Sequence, residues 1–265
     1  MHAPLVRAFL FSLVIYVQTF LLTTMLHELA HALTSLALGG RPVLHHVYVA
    51  HEGIDGARRA MVSAAGPLMS LAQGLALLAV FRRRPGPATA GRLALLWLCI
   101  HGLVNFFGYL VTTPFVPNAD LGKVAAWLEL PGLARWGIFA AGIAAITWIG
   151  LWAREPLLRF VVEPATRREP AARVRHIAAI GVAPWLVGGA VIAAASWPSP
   201  HWISYVYPFF AGFFLIVTIR RARSVTPPEV PGAPWVEAAL WPWVVGLAAV
   251  VGLLRAVVGG VALGG

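Results

Sequence analysis

The feature that most constrains the fold is an apolar run over residues 5–38, which few polar residues interrupt. At a rise of about 1.5 Å per residue, a helix of this length exceeds the roughly 30 Å hydrocarbon core of a bilayer, so it must tilt, kink or protrude. The run ends in Gly39-Gly40-Arg41-Pro42, which is typical of a helix end. It is too long for a cleavable signal peptide, so we interpret it as a first membrane-spanning helix.

The rest of the chain has the same character. Hydrophobic residues make up 59% of the 265 residues and charged residues 11%, and the mean hydropathy is +0.78. Repeated apolar runs of about twenty residues at such a composition exclude a soluble domain. We predict an all-α polytopic membrane protein with about six or seven transmembrane helices. The predicted spans are residues 5–38, 61–81, 93–112, 136–152, 177–196, 203–219 and 238–254.

The most polar stretch, residues 41–60, follows the first predicted helix. Residues 43–49 have strand character, and residues 52–56 are typical of a turn. We therefore predict a short β-hairpin-like insert after the first helix. Its open edge could pair with an extended peptide.

The net charge of +10 fits arginines that face anionic lipid. With the N-terminus in the cytoplasm, most of the 20 Lys and Arg residues lie in cytoplasmic loops, as the positive-inside rule requires. The chain has no nucleic-acid-binding motif, and its single cysteine, Cys99, excludes a disulfide framework. We predict a multi-pass protein of a bacterial-type plasma membrane whose surroundings are the lipid bilayer and not nucleic acid.

The motif that carries chemistry is His27-Glu28-Leu29-Ala30-His31, in the second half of the first run. His27 and His31 lie one turn apart on the same face of a helix, where two imidazoles can bind one Zn²⁺. Glu28 is then placed to take a proton from a zinc-bound water. The alternative is a pair of core histidines, but buried ionisable groups are costly in apolar surroundings unless they are paired, metal-bound or lining water. We therefore favour a metal site.

A catalytic zinc of this class also needs a carboxylate ligand and an open position. The chain has only two aspartates, and Asp55 reads as a turn residue. Asp120 follows a Pro-rich break after the third span, where irregular backbone requires a protected or watery site. From spacing alone, a metal-ligand role for Asp120 and a role as the N-cap of the helix through Trp127 are equally supported.

Several motifs occur in a familiar order. The HELAH sequence is followed by Gly39 eight residues after its second histidine, then by the hairpin-like insert, Ala65-Gly66-Pro67 and the Pro-rich segment of Asp120. This order resembles that of the site-2 protease family of intramembrane zinc metalloproteases (M50 peptidases), and the resemblance covers roughly residues 20–130.

The resemblance implies a zinc metallopeptidase with one Zn²⁺ per chain, bound by His27, His31 and Asp120, with Glu28 as the general base. It also implies that the substrate is a transmembrane protein, cleaved after its helix unwinds into an extended segment. Residues 1–130 would then form the metalloprotease membrane core. Residues 131–265 would add transmembrane helices of unknown role.

The chain departs from the family pattern at three places. Leu121 separates Asp120 from Gly122 where the family has Asp-Gly, and Ser70 stands where an asparagine often follows the Gly-Pro pair. The candidate for the family's other asparagine is Asn105, fifteen residues before the aspartate. The resemblance suggests substrate contacts at Asn105, Gly66 and Pro67.

Two alternative functions and the membrane orientation of the site remain open from the sequence alone. The chain could be a membrane protein that binds or moves a metal, or a proteolytically silent relative that serves as an adaptor. The family usually turns its zinc site towards the cytoplasm, whereas the arginines place this end of the first helix outside, so the face of the site stays undecided. The sequence predicts no oligomeric state.

The remaining histidines allow two readings each. His45, His46 and His51 with Glu52 could form a second metal site, but we favour a solvated hairpin because polar strand residues need no ligand role. His101 could face an active-site cavity or be a hydrogen-bonded core histidine.

Overall fold

The computed structural model describes residues 3–83, 86–161, 164–225 and 235–264. Six helices in these ranges are long and apolar enough to cross a membrane, which confirms the prediction of an all-α polytopic membrane protein. The helices are α1 (Ala3–Ala37), α2 (Gly56–Arg83), α3 (Ala90–Thr112), α4 (Asp120–Trp127), α5 (Gly132–Leu158), α6 (Pro164–Arg168), α7 (Pro170–Ile177), α8 (Ala183–Ala195), α9 (Ile203–Phe210), α10 (Phe214–Arg221) and α11 (Trp241–Ala256). The strands are β1 (Arg41–Leu44), β2 (Val49–Glu52) and β3 (Val261–Ala262).

Helix α1 is the central element and packs against α2, α3, α8 and α11. Its 35 residues span about 52 Å at about 1.5 Å per residue, so it extends beyond one hydrocarbon core as the sequence predicts. Two of its buried threonine hydroxyls are satisfied within the helix: Thr19 donates to the Ile15 carbonyl at 2.7 Å and Thr23 to the Thr19 carbonyl at 2.9 Å. Such internal hydrogen bonds let α1 carry these threonines across lipid.

Small residues bring α2 and α3 into close contact. A Cβ on Gly102 would lie 2.7 Å from the Ser70 carbonyl oxygen and 2.8 Å from the Gly74 nitrogen. A Cβ on Gly74 would lie 2.7 Å from the Leu103 nitrogen. Such backbone approach is typical of membrane helix pairs, and it fixes the part of α2 that faces the histidines of α1.

The insert after α1 is an antiparallel hairpin, as predicted, but its strands are shorter than the pattern suggested. Strands β1 and β2 pair from Arg41↔Glu52 to Leu44↔Val49. The predicted strand over residues 43–49 is wrong at its centre, where the His45 amide donates to the Tyr48 carbonyl at 2.9 Å and closes the turn. The cause is tertiary, because the buried His46 side chain bonds the Ser196 carbonyl at 2.8 Å and leaves the strand.

The second edge of β1 is covered by the chain itself. Strand β3 pairs with β1 through Val43↔Ala262 and Leu44↔Val261, which gives the strand order β2-β1-β3. Within the described ranges, the edge left without a partner strand is therefore that of β2. The last helix before β3, α11, has 16 residues and spans about 24 Å, so it is shorter than the six spans and accounts for the predicted seventh.

Two spans of the C-terminal half are interrupted. A π-helix, Ala178–Val182, joins α7 to α8. Residues 211–213, which include Gly212, separate α9 from α10, and Pro208 lies in the last turn of α9. The Phe209 carbonyl near this break accepts a hydrogen bond from Trp185 Nε1 at 2.9 Å. This backbone acceptor is therefore satisfied within the protein, as a lipid environment requires.

Candidate metal centre

The two histidines of HELAH and Asp120 come together between α1 and α4. His27 Nε2 and His31 Nε2 lie 3.1 Å apart. Asp120 Oδ2 lies 3.3 Å from His27 Nε2 and 3.2 Å from His31 Nε2. Both imidazoles are buried, so the three groups form a compact polar cluster inside an apolar bundle.

Asp120 is the first residue of α4 but does not cap it. The N-cap residue is Ala119, and no side chain caps the helix. Burial raises the pKa of Asp120, but interaction with His31 and His27 outweighs burial and holds that pKa well below its usual range. Gly122 allows this placement, because a Cβ there would lie 2.9 Å from the backbone of Pro117. The carboxylate is therefore available to the histidines.

Hydrogen bonds from α2 fix the tautomer of each imidazole. His31 Nδ1 lies 2.6 Å from the Val62 carbonyl oxygen, which can only accept, so Nδ1 carries the proton. His27 Nδ1 lies 3.1 Å from Ser70 Oγ, which donates to the Gly66 carbonyl at 3.2 Å and so accepts from the imidazole. Both Nε2 atoms thus present lone pairs to one point, which is how metal-ligating histidines are usually held.

The dimensions of the cluster suit a tetrahedral divalent metal. Zinc with ligand distances of about 2.0–2.1 Å holds neighbouring ligand atoms about 3.3 Å apart, close to the observed 3.1, 3.2 and 3.3 Å. Two lone pairs and a carboxylate repel one another unless a proton or a metal cation lies between them. In the part of the chain that the structure describes, His27, His31 and Asp120 are the only group of three His, Cys, Asp or Glu residues close enough to share a metal ion.

Gly66 and Pro67 lie in α2 beside this cluster, and both are buried. A Cβ on Gly66 would lie 2.6 Å from His27 Nε2 and closer still to His31 Nε2. The glycine therefore lets α2 approach the histidine pair. Pro67 has no N–H for the carbonyl of Ser63, four residues earlier in α2. The structure thus places Gly66 against the two histidines, and neither Gly66 nor Pro67 is among the residues that line the cavity described next.

A cavity of about 500 Å³ opens from the cluster into the bundle. Glu28, 9% exposed, lines its polar end together with the three clustered residues. Asn105 also lines it, and its Oδ1 has no hydrogen-bond partner among the described residues. Apolar residues of α5, α8, α9 and the α9–α10 break form a further part of the lining, which we call its apolar end: Ile143, Ile146, Ile192, Phe210, Ala211 and Phe213.

Strand β2 and two cations complete the polar end of the cavity. His51, Arg59 and Lys123 line it. Burial, followed by the Arg59 guanidinium, lowers the pKa of His51 to about 4, so this imidazole is neutral at pH 7. The polar end therefore combines neutral imidazoles, two carboxylates and two cations.

Sequence reasoning missed Tyr109 and gave Ser70 no role. Tyr109 Oη lies 3.2 Å from His27 Nε2, and its ring stacks on the His27 imidazole with centroids 5.3 Å apart and planes 7° apart. Tyr109 follows Asn105 by four residues on α3, so both lie on one helix face. Once Asn105 is a candidate, this spacing is the signal that points to Tyr109.

The other three predicted histidines lie in different surroundings and away from the cluster. His45 Nδ1 bonds the Val258 carbonyl at 3.1 Å, and His46 is buried against Ser196, so the prediction of a solvated hairpin is wrong for His46. His101 lies among aromatic rings, with its ring centroid 4.7 Å from that of Tyr16 and 5.3 Å from that of Phe20. His101 is thus a core histidine.

Comparison of the chain with protein-family models, curated proteins and solved structures gives no match. The resemblance to site-2 proteases therefore rests on the motifs and their order. What the geometry adds is the proximity of residues from three separate motifs, HELAH, Gly66-Pro67 and Asp120.

Proposed function

We propose that this chain is a zinc-dependent intramembrane endopeptidase of the site-2 protease type, in a bacterial-type plasma membrane, that hydrolyses peptide bonds of membrane-spanning protein substrates. The observation that carries the proposal is the triangle of His27 Nε2, His31 Nε2 and Asp120 Oδ2, with sides of 3.1–3.3 Å, beside Glu28 in one cavity. A site for metal storage or transport needs no general base next to its first ligand.

Each polar residue of the site has a separate role in the proposed reaction. His27, His31 and Asp120 would hold one Zn²⁺, which supplies a Lewis acid that polarises a carbonyl and lowers the pKa of water to about 7. Glu28 takes a proton from the attacking water and later gives it to the leaving amine. Ser70 and Val62 hold the two imidazoles in the tautomer that leaves Nε2 free.

The cavity suits an extended, apolar stretch of chain. Its apolar end takes substrate side chains, and Asn105 Oδ1, which has no hydrogen-bond partner among the described residues, is an acceptor for a substrate N–H. Val49 and His51 of β2 line the cavity next to the free edge of that strand. An unwound substrate segment can add to that edge through backbone hydrogen bonds.

The test measures zinc and substrate turnover in parallel. Purified wild type should contain one zinc per chain, Asp120→Ala markedly less, and Glu28→Gln as much as wild type. Quantitative membrane proteomics should then show a single-span protein that accumulates in cells with Glu28→Gln.

Three results would count against the proposal. Cleavage by Glu28→Gln at the wild-type rate rules out the base mechanism. Full zinc occupancy in Asp120→Ala moves the third ligand elsewhere. Altered cellular metal without an accumulating membrane protein favours the alternative of metal transport.

A further inference from the structure

The hydroxyl of Tyr109 lies at hydrogen-bond distance from His27, one of the predicted metal ligands. Its Oη lies 3.2 Å from His27 Nε2. The ring stacks on the His27 imidazole with planes 7° apart, and the residue lines the cavity. Because His27 is itself held by Ser70, this stacking fixes the phenol next to the open side of the cluster.

The hydrogen-bond network shows what this hydroxyl can do. Ser70 holds the proton of His27 on Nδ1, so Nε2 has only a lone pair and the phenol O–H donates to it. When that lone pair is used for metal ligation, the phenol loses this acceptor. If His27, His31 and Asp120 held a metal ion, the phenol O–H would be left to donate to a substrate oxygen next to His27.

Other polar groups of the cavity are less well placed. Arg59 and Lys123 line it, but among the described residues neither makes a hydrogen bond or ion pair with His27, His31 or Asp120. The amide of Asn105 lies on the same face of α3 one turn earlier, and among the described residues it makes no hydrogen bond with His27, His31 or Asp120. Among the described residues that line the cavity, only Tyr109 combines a donor proton with a position at hydrogen-bond distance from an Nε2 atom of the two histidines.

We infer that Tyr109 is a catalytic residue that stabilises the transition state of peptide hydrolysis, an inference that rests on the proposed function. Water oxygen bonds to the scissile carbonyl carbon while Glu28 takes one of its protons. The carbonyl oxygen gains negative charge and accepts the hydrogen bond of Tyr109, which keeps its proton. The C–N bond then breaks as Glu28 returns the proton to the nitrogen, and an acid and an amine leave. Such donors act because they meet charge only as it develops.

Tyr109→Phe tests this role, because the variant keeps the stacked ring and loses only the hydroxyl. The matched control is Tyr16→Phe, which removes a buried hydroxyl that has no hydrogen-bond partner among the described residues and lies outside the cavity lining. The probes are a quenched fluorescent apolar peptide, chosen because wild type cleaves it and Glu28→Gln does not, and the phosphinate analogue of that peptide. Zinc per chain is measured on every variant.

The expected result for Tyr109→Phe is a kcat lower by about 100- to 1,000-fold, as for loss of one oxyanion donor. KM should stay within about threefold, since the contact forms only in the transition state. Zinc content should equal that of wild type and of Tyr16→Phe. Binding of the phosphinate, measured by calorimetry, should weaken by a factor similar to the loss in kcat, whereas Tyr16→Phe binds it as wild type does.

Two outcomes overturn the inference. Loss of zinc in Tyr109→Phe, with activity restored in proportion to added zinc, makes Tyr109 a metal ligand. Unchanged kcat and phosphinate affinity leave its hydroxyl without a catalytic role. Failure of the proposed function has a separate signature, because it appears as cleavage by Glu28→Gln with Tyr109 intact.

Discussion

Replacing Gly66 by alanine should abolish metal binding at the candidate centre without unfolding α2, the helix that contains Gly66. The new Cβ would lie 2.6 Å from His27 Nε2, whereas an ordinary contact is at least 3.4 Å, so the two atoms must separate by 3.4 − 2.6 = 0.8 Å. Metal–ligand distances tolerate a change of only about 0.2 Å. The methyl group also takes up space between both Nε2 atoms, where a metal ion would bind.

The affinity for zinc should therefore fall by more than about 100-fold, beyond the usual effect of altering an outer-shell partner. The helix itself gains, because alanine is favoured over glycine in a helix interior by about 0.5–1 kcal/mol. We expect wild-type helix content by circular dichroism and a large loss of affinity in competition with a chromophoric zinc chelator. The matched control is Gly137→Ala in α5, where a Cβ meets nothing within 4 Å and zinc affinity should not change. Wild-type zinc affinity in Gly66→Ala would refute the close approach of α2 to the histidines.

Two further predictions concern groups around the site. Ser70→Ala removes the acceptor for His27 Nδ1–H and should weaken zinc binding by about 10- to 100-fold in the same chelator assay, and an unchanged affinity would contradict the orienting role of the hydroxyl. The pKa of His51 is lowered to about 4 against about 6.5 in the unfolded chain, so its neutral form contributes stability fully above pH 6.5, and this contribution is lost as the pH falls towards 4. Thermal unfolding of His51→Gln should accordingly depend less on pH between 6.5 and 4 than that of wild type, and equal slopes would contradict the burial of His51.

The helices could be predicted because lipid leaves the backbone few choices. In a bilayer, a long apolar run must satisfy its hydrogen bonds internally, so its hydropathy alone indicates a helix. The third predicted span, 93–112, differs from α3 only by three residues at its start. The spacing of His27 and His31 likewise predicts a shared helix face from local geometry, and α1 brings their Nε2 atoms to 3.1 Å.

What the sequence left open depends on contacts between distant residues. Spacing could not separate a ligand from a cap at Asp120, which lies 93 residues from His27 along the chain. The turn at residues 45–48 is set by a bond from His46 to Ser196, 150 residues away. Hydropathy carries no information about such pairings, and the role of Tyr109 beside His27 depends on one of them.

The charges of the cluster favour a divalent cation over a purely structural arrangement. Glu28 and Asp120 place two carboxylates in one buried corner, and the two imidazoles are held as neutral ligands by their Nδ1 partners. Burial of charge without a paired partner costs several kcal/mol per ion, and Arg59 and Lys123 line the same cavity but form no ion pair with either carboxylate among the described residues. A dication at the cluster would pair with the Asp120 carboxylate and satisfy the lone pairs of both imidazoles at the same point. A membrane bundle retains so costly a group of side chains where it serves chemistry, since an apolar core of the same volume would be more stable.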